Sequence, residues 1–193
     1  LMFSVASELK NTYKVLICTT TKILVPKKDE FDFFHIGGMP SSNLKNGRYV
    51  LGNTINKGKL LSISEEDILK IKSKFDIILI EADGSKRKGM KGWKDYEPVI
   101  PSFTTKTIGV LDILNIGKFI NEDNVHNIEE FMQITNSSKS QKINMNHILS
   151  LIDNPKGLFK DSKGEKIIYI PKNDEKLVSE MVKSLDKAIK VVT

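Results

Sequence analysis

Three short groups of residues carry the side chains best suited to chemistry. The first is Glu81-Ala82-Asp83-Gly84, two carboxylates and a glycine directly after the apolar run Ile77 to Ile80. The pair stands at the carboxyl end of what should be a buried strand. In open α/β sheets the carboxyl ends of the strands are where ligands bind. The second group, Lys86, Arg87, Lys88 and Lys91, follows at once and would face an anion held at that end. The third is Thr19-Thr20-Thr21-Lys22, three hydroxyls and an amine after the apolar stretch Lys14 to Cys18. Each group has a plainer alternative: an acidic turn, a solvated basic loop, and threonines kept in a strand for their branched shape.

Strands must position these groups, and the hydrophobic pattern supplies them. Apolar residues at 1, 2, 5, 6 and 9 form a helical stripe over 1–10, ahead of the strand at 14–18. A helix feeding a strand is the second half of a β-α-β unit, so a first strand and its loop are expected upstream of Leu1. Residues 26–47, rich in Gly, Pro, Ser and Asn, read as a long surface loop. Arg48 to Leu51 and Lys59 to Ile63 flank a Gly- and Asn-rich turn, which predicts an antiparallel hairpin over 48–63. Ser64 followed by Glu65, Glu66 and Asp67 caps a helix to Ser73, which leads into a central strand at 75–80. Further strands are expected at 107–111, with Asp112 at its end, and at 166–170. Helices are expected at 128–134, 144–152 and 174–191. The fold class is therefore α/β, a single domain over 1–193 with a mainly parallel sheet flanked by helices. Strands 14–18, 75–80, 107–111 and 166–170 should share one sheet, with Thr19, Glu81 and Asp112 at its carboxyl edge.

Composition narrows the class. The chain has 193 residues, 39% of them hydrophobic, enough for a core. It has no apolar run near the ~18 residues that cross a bilayer. No membrane partner is expected, and the first residues lack the basic n-region of a secretory leader. A single cysteine, Cys18, excludes an internal disulfide and suits a reducing cytoplasm. The net charge of +6 is spread along the chain, and only the cluster at 86–94 is local enough to imply an anionic partner. Nucleic-acid binding would rest on charge alone and is not expected. His35, His126 and His147 have no i, i+4 pairing and no Cys partner, so a dedicated metal site is not expected among them. Trp93 and Tyr96 could stack on a pterin or a nucleobase, although packing beneath the loop is the commoner outcome.

The combination of T-T-T-K-I at 19–23, E-A-D-G-S-K-R-K at 81–88, E-P-V-I-P at 97–101, V-H at 125–126 and G-L-F-K at 157–160 resembles the selenium-dependent hydroxylase accessory protein family, often called YqeC. The motifs run in the same order from residue 1 to about 175. The family in turn resembles P-loop NTPases, in the branch of the metallocentre chaperones, where an apolar strand ending in E-x-x-G is the acidic second motif. Glu81 and Gly84 fit it.

The resemblance implies Mg2+ and GTP or ATP as cofactors. Glu81 and Asp83 would be catalytic, Glu81 and Thr20 near the metal, and Thr19, Thr20, Thr21 and Lys22 near the γ-phosphate edge. Gly84, Lys86, Arg87 and Lys88 would lie along the phosphates, with Lys172 and Asp174 at the base. The implied role is nucleotide-dependent maturation of a selenium-dependent molybdenum hydroxylase in the cytoplasm. The partners would be that client enzyme and the nucleotide, with homodimerisation left open. The alternative is a non-hydrolysing module that holds an anionic cofactor such as molybdopterin against Lys86, Arg87, Lys88 and Lys91. Two departures stand out. The family's G-x-G-K-T-T phosphate loop is not in these residues, so it either lies upstream with the first strand or is lost from this copy. Pro171 stands where the guanine-reading N-K-x-D sequence has Asn, so base preference is open and Asp174 could simply cap a helix.

Overall fold

In the computed structural model, which describes residues 1–38, 43–171 and 174–193, the chain divides at Gly84 into two units, Leu1–Gly84 and Ser85–Thr193. In the first unit, α1 (Met2–Leu9) buries Ala6 completely and packs Met2, Phe3 and Leu9 on the cluster that contains Val15 and Ile17. The stripe over 1–10 therefore marks a real helix. It leads into β1 (Lys14–Thr19), whose residues from Val15 onward have no exposure on either face. A near-continuous apolar strand of this kind belongs inside a parallel sheet. Burial pushes the Cys18 thiol up to about 12, so it stays protonated and inert.

Next come β2 (Lys22–Leu24), β3 (Phe33–Ile36), β4 (Gly47–Gly52), β5 (Ile55–Asn56), β6 (Lys59–Leu61), α2 (Glu65–Ile71) and β7 (Ile77–Glu81). The order β3-β4-β1-β7 makes a four-stranded sheet, parallel throughout. Three expectations need correction here. Residues 48–51 are not one arm of a hairpin; Tyr49, Val50 and Leu51 are buried because β4 lies inside the sheet beside β1. The antiparallel element is smaller, β5 turning into β6 and β6 pairing with β2, with Lys57 and Gly58 in the left-handed region at the turn. The loop at 26–47 contains the edge strand β3. Phe33 stacks on Tyr49 at 4.4 Å, and the Arg48 guanidinium, 7% exposed, reaches the Asp32 carboxylate at 3.1 Å. Third, β7 is the last strand of its sheet among the described residues, and β1 holds the central place. The α2 cap matches its sequence signal, with Ser64 Oγ accepting from the Asp67 N–H at 3.1 Å.

The second unit contains β8 (Met90–Lys91), β9 (Lys106–Val110), β10 (Val125–His126), α3 (Ile128–Thr135), α4 (Met145–Asp153), β11 (Glu165–Tyr169), α5 (Glu175–Lys183) and β12 (Lys190–Val192). The sheet order is β12-β11-β9, again parallel, and β10 pairs with β8. Leu111, Ile168 and Ile170 meet Phe131, Ile148, Leu151 and Met181 in its core. The expectation of one sheet is thus corrected to two, because β7 pairs with β1 and β9 with β11. Asp112 follows a strand of the second sheet, not of the sheet that carries Thr19 and Glu81, and there it caps a turn, with Oδ1 accepting from the Leu114 N–H at 3.2 Å. The closing helix is shorter than its stripe suggests. It stops at Lys183, Asp186 Oδ1 turns the chain by accepting from the Ala188 N–H at 2.9 Å, and the residues from Lys190 extend β11 as a strand. Among the described residues no helix is long and apolar enough to cross a membrane.

Candidate functional site

The first unit carries the acidic site at the carboxyl edge of its parallel sheet, where Thr19 and Glu81 are direct partners in the β1–β7 register. The strand ends are stitched through one carbonyl. Thr19 Oγ1 donates to the Glu81 backbone oxygen at 2.9 Å, and the Thr20 N–H donates to the same oxygen at 3.1 Å. The Thr21 N–H in turn donates to Thr19 Oγ1 at 3.0 Å. Thr19 has no exposure, so its hydroxyl positions the edge and does not reach a ligand. Thr20 and Thr21 are half-buried at the rim, and Lys22 is exposed at the start of β2.

This stitching leaves the Glu81 side chain free of the backbone bonds that hold its strand. Burial and then the neighbouring Asp83 carboxylate push the Glu81 carboxyl up, against a smaller pull from the chain's amino end. A Cβ placed on Gly84 would lie 4.0 Å from Glu81 Oε1, so the E-x-x-G spacing returns the glycine beside the carboxylate with ordinary room between them. Among the described residues no cluster of three or more His, Cys, Asp or Glu could hold a metal. A carboxylate pair still fits magnesium, which keeps several waters and takes one or two carboxylates plus substrate phosphates.

The second unit carries the basic segment, and the structure divides its charges by role. Lys86 and Arg87 are exposed on a turn whose two central residues have φ 52 and 66, closed by the Lys88 N–H donating to the Ser85 carbonyl at 3.0 Å. Bulky L-residues rarely take that conformation, and Asn-Gly is the pair that suits it. Lys88 instead turns inward, its ammonium donating to the carbonyls of Glu122 and, at 3.3 Å, Val125. Lys91 is 5% exposed and pairs with Glu97 at 2.9 Å. The strained pair predicts an outcome. Lys86→Asn with Arg87→Gly is expected to raise stability by about 1–2 kcal/mol, since each non-glycine left-handed residue costs roughly that order. A higher denaturant midpoint at unchanged slope is the expected reading, and a lower midpoint would show that the lysine and arginine side chains hold the turn.

Sequence reasoning passed over the polar network behind this turn. Asn127 Nδ2 donates to Glu97 Oε2 and to the Gly92 carbonyl, both at 3.0 Å, so Lys91, Glu97 and Asn127 tie β8 to the start of α3. Gly92 must be glycine because a Cβ there would sit 2.1 Å from the Phe131 backbone nitrogen. The Lys160 ammonium donates to the carbonyls of Lys94 and Asp95 at 2.8 Å and of Glu97 at 2.6 Å, which organises the loop after β8. The only sequence signals for these residues were the E-P, V-H and G-L-F-K motifs, which carry no chemistry by themselves. Trp93 packs beneath the loop at 9% exposure, while Tyr96 is 71% exposed. Lys172 lies outside the described residues. Asp174 caps α5, its Oδ1 accepting from the N–H groups of Lys176 and Leu177 at 3.0 and 3.2 Å.

Comparison with known proteins supplies the kinship. The sequence model of one family, YqeC protein, matches residues 1–129, about two thirds of the chain. The chain belongs to the YqeC family. The YqeC match takes in Thr19, Glu81, Asp83, Lys86, Arg87 and His126, so both the acidic edge and the basic turn lie within it. The chain is similar to "Uncharacterized protein YqeC" of Escherichia coli (strain K12), at 32% identity over 108 residues. That match covers 55% of this chain and 42% of the relative, so the shared region spans under half the length of the YqeC relative. No solved structure matches.

Proposed function

We propose that this YqeC chain is the P-loop-type part of a nucleotide-dependent accessory protein that serves maturation of a selenium-dependent molybdenum hydroxylase in the cytoplasm. One observation carries the nucleotide reading. Glu81, with Asp83 two residues on, stands in register with Thr19 at the carboxyl edge of a parallel sheet, which is where such sheets bind ligands. The hydroxylase role rests on the family resemblance.

The residues divide the work as follows. Glu81 and Asp83 are the residues that would hold the water shell of a magnesium ion, and Glu81 would orient the attacking water. The Thr20 hydroxyl stands at the same rim, and Thr19 fixes the spacing between the two strands. Magnesium, when bound, would supply positive charge that offsets the charge developing on the leaving group. The amides that cradle the phosphates come from a glycine-rich loop upstream of Leu1. By the family resemblance, Lys172 and Asp174 would read the base, GTP or ATP.

Calorimetry with magnesium and either nucleotide tests the reading on this 193-residue chain and on the protein extended upstream. The extended protein should bind tightly and the short chain weakly, because the amide cradle makes most phosphate contacts. Tight binding by the short chain would place the site elsewhere, and an extended protein that binds neither nucleotide would end the proposal.

A further inference from the structure

The unit Ser85–Thr193 holds a second constellation, in which the nucleotide reading assigns Lys86, Arg87 and Lys88 to phosphates by resemblance but gives His126 no role. His126 lies on β10 as the register partner of Lys91 on β8, with Val125, whose carbonyl Lys88 grips, as its chain neighbour. The imidazole is partly exposed, and among the described residues it has no hydrogen-bond partner. His147 differs: its Nδ1 accepts from the Asn144 N–H at 3.3 Å as part of a helix cap. The charges that act on His126 are Lys91, Lys86, Glu97 and Lys88, three cations against one carboxylate. That carboxylate is already engaged by Lys91 and Asn127. α3 packs against β10 and brings Glu129 and Glu130 in its first turn. Lys86 and Arg87, exposed on the strained turn, likewise have no protein partner among the described residues.

Lys86 thus acts on the His126 imidazole across the β8–β10 pair, Arg87 follows Lys86 on the same turn, and the backbone holding these two residues is costly. Strain of this kind persists where the surrounding structure imposes it, and it clusters at ligand clamps and active sites. A solvated basic loop needs no left-handed pair.

We propose that Lys86, Arg87 and the imidazole of His126 form an oxyanion site for a phosphoryl or sulfate-like dianion, and that binding brings a proton onto His126. Lys88 and Lys91 add fixed positive charge from behind, and their own protein partners hold them there. Without an anion, burial and the lysines favour the neutral imidazole. Burial acts first, then Lys91 and Lys86, and together they hold His126 below its usual range. A dianion offsets those charges, so the imidazole gains a proton and donates to the ligand. Affinity therefore rises as pH falls through the midpoint of the bound form, by at most about tenfold per pH unit. The ligand class is a phosphoryl group, carried by a phosphorylated cofactor or by a nucleotide.

The probe is inorganic sulfate, whose charge is constant over the pH range in which imidazole titrates. NMR titration of the three histidines is run with and without it, His126 being assigned by loss of its signal in His126→Gln. The His126 midpoint should rise by about 1 unit, while those of His35 and His147 stay in place. Lys86→Ala with Arg87→Ala, at exposed positions, should leave the thermal melt unchanged and abolish the shift. An unmoved His126 midpoint in the native protein overturns the proposal, and so does a full shift in the double variant. Competition then names the source. Displacement of sulfate by a simple phosphomonoester but not by GTP or ATP supports a phosphorylated cofactor, and displacement by the nucleotides supports a nucleotide phosphate. Displacement by neither overturns the phosphoryl assignment. The sulfate readout uses no nucleotide, so failure of the nucleotide proposal leaves this test intact.

Discussion

Glu97→Ala is expected to destabilise the unit Ser85–Thr193 by about 3–5 kcal/mol, because it strands the buried Lys91 ammonium without its counter-charge. The same change takes a hydrogen-bond acceptor from Asn127, which links β8 to α3. Lys91→Met is expected to cost less, since the carboxylate it leaves behind is 20% exposed and still accepts from Asn127, whereas the Lys91 ammonium is 5% exposed. Denaturant midpoints of the two variants check the asymmetry, and equal losses would show that Lys91 gains more from its other contacts than from Glu97. Acid should reproduce part of the effect. Burial alone would raise the Glu97 carboxyl, but the Lys91 hydrogen bond and charge outweigh it and hold the carboxyl below its ordinary value. A carboxylate depressed in the folded state contributes stability above its unfolded value and loses it as pH falls through the folded one. The native protein should therefore weaken below about pH 4, and Glu97→Ala should lose this part of the acid dependence.

On the nucleotide proposal, Glu81→Gln is expected to lower hydrolysis by the upstream-extended protein by about 100-fold or more, the usual contribution of a positioned carboxylate that activates water. The fold should survive, because Thr19 and Thr20 hold the Glu81 backbone carbonyl and not its side chain. Stability should even rise slightly at neutral pH. A carboxyl raised in the folded state contributes stability only at low pH and loses it as pH rises through the folded value, so removing the charge near Asp83 relieves a cost at pH 7. Single-turnover hydrolysis and a thermal melt give the two readings. Full hydrolysis in the variant would remove Glu81 from the chemistry and leave Asp83 as the acid to examine.

The local structure around both sites could be read from residue order. The Ser64 cap and the apolar runs leading to Thr19 and Glu81 depend on neighbours within a few positions, and each stands in the structure. The pairing of strands could not be read this way. Residues 48–51 are as compatible with a hairpin arm as with an interior strand, and only Tyr49 stacked under Phe33, with Arg48 clamped to Asp32, selects the second. The stripe over 174–191 likewise fits a helix until β11 supplies a partner for Lys190 to Val192.

The basic cluster shows the same division more sharply. Sequence by itself determined that Lys86, Arg87, Lys88 and Lys91 stand close together after the acidic edge. Tertiary structure decided that Lys88 caps carbonyls, that Lys91 is buried against Glu97, and that His126 lies in register with Lys91 from 35 residues away. A charged side chain four bonds long can point to solvent or fold back onto the backbone. Which it does depends on whether carbonyls or a carboxylate from distant segments come within hydrogen-bond reach to offset its desolvation. Those partners are set by the packing of β8, β10 and α3, and nothing in the spacing of four basic residues specifies that packing.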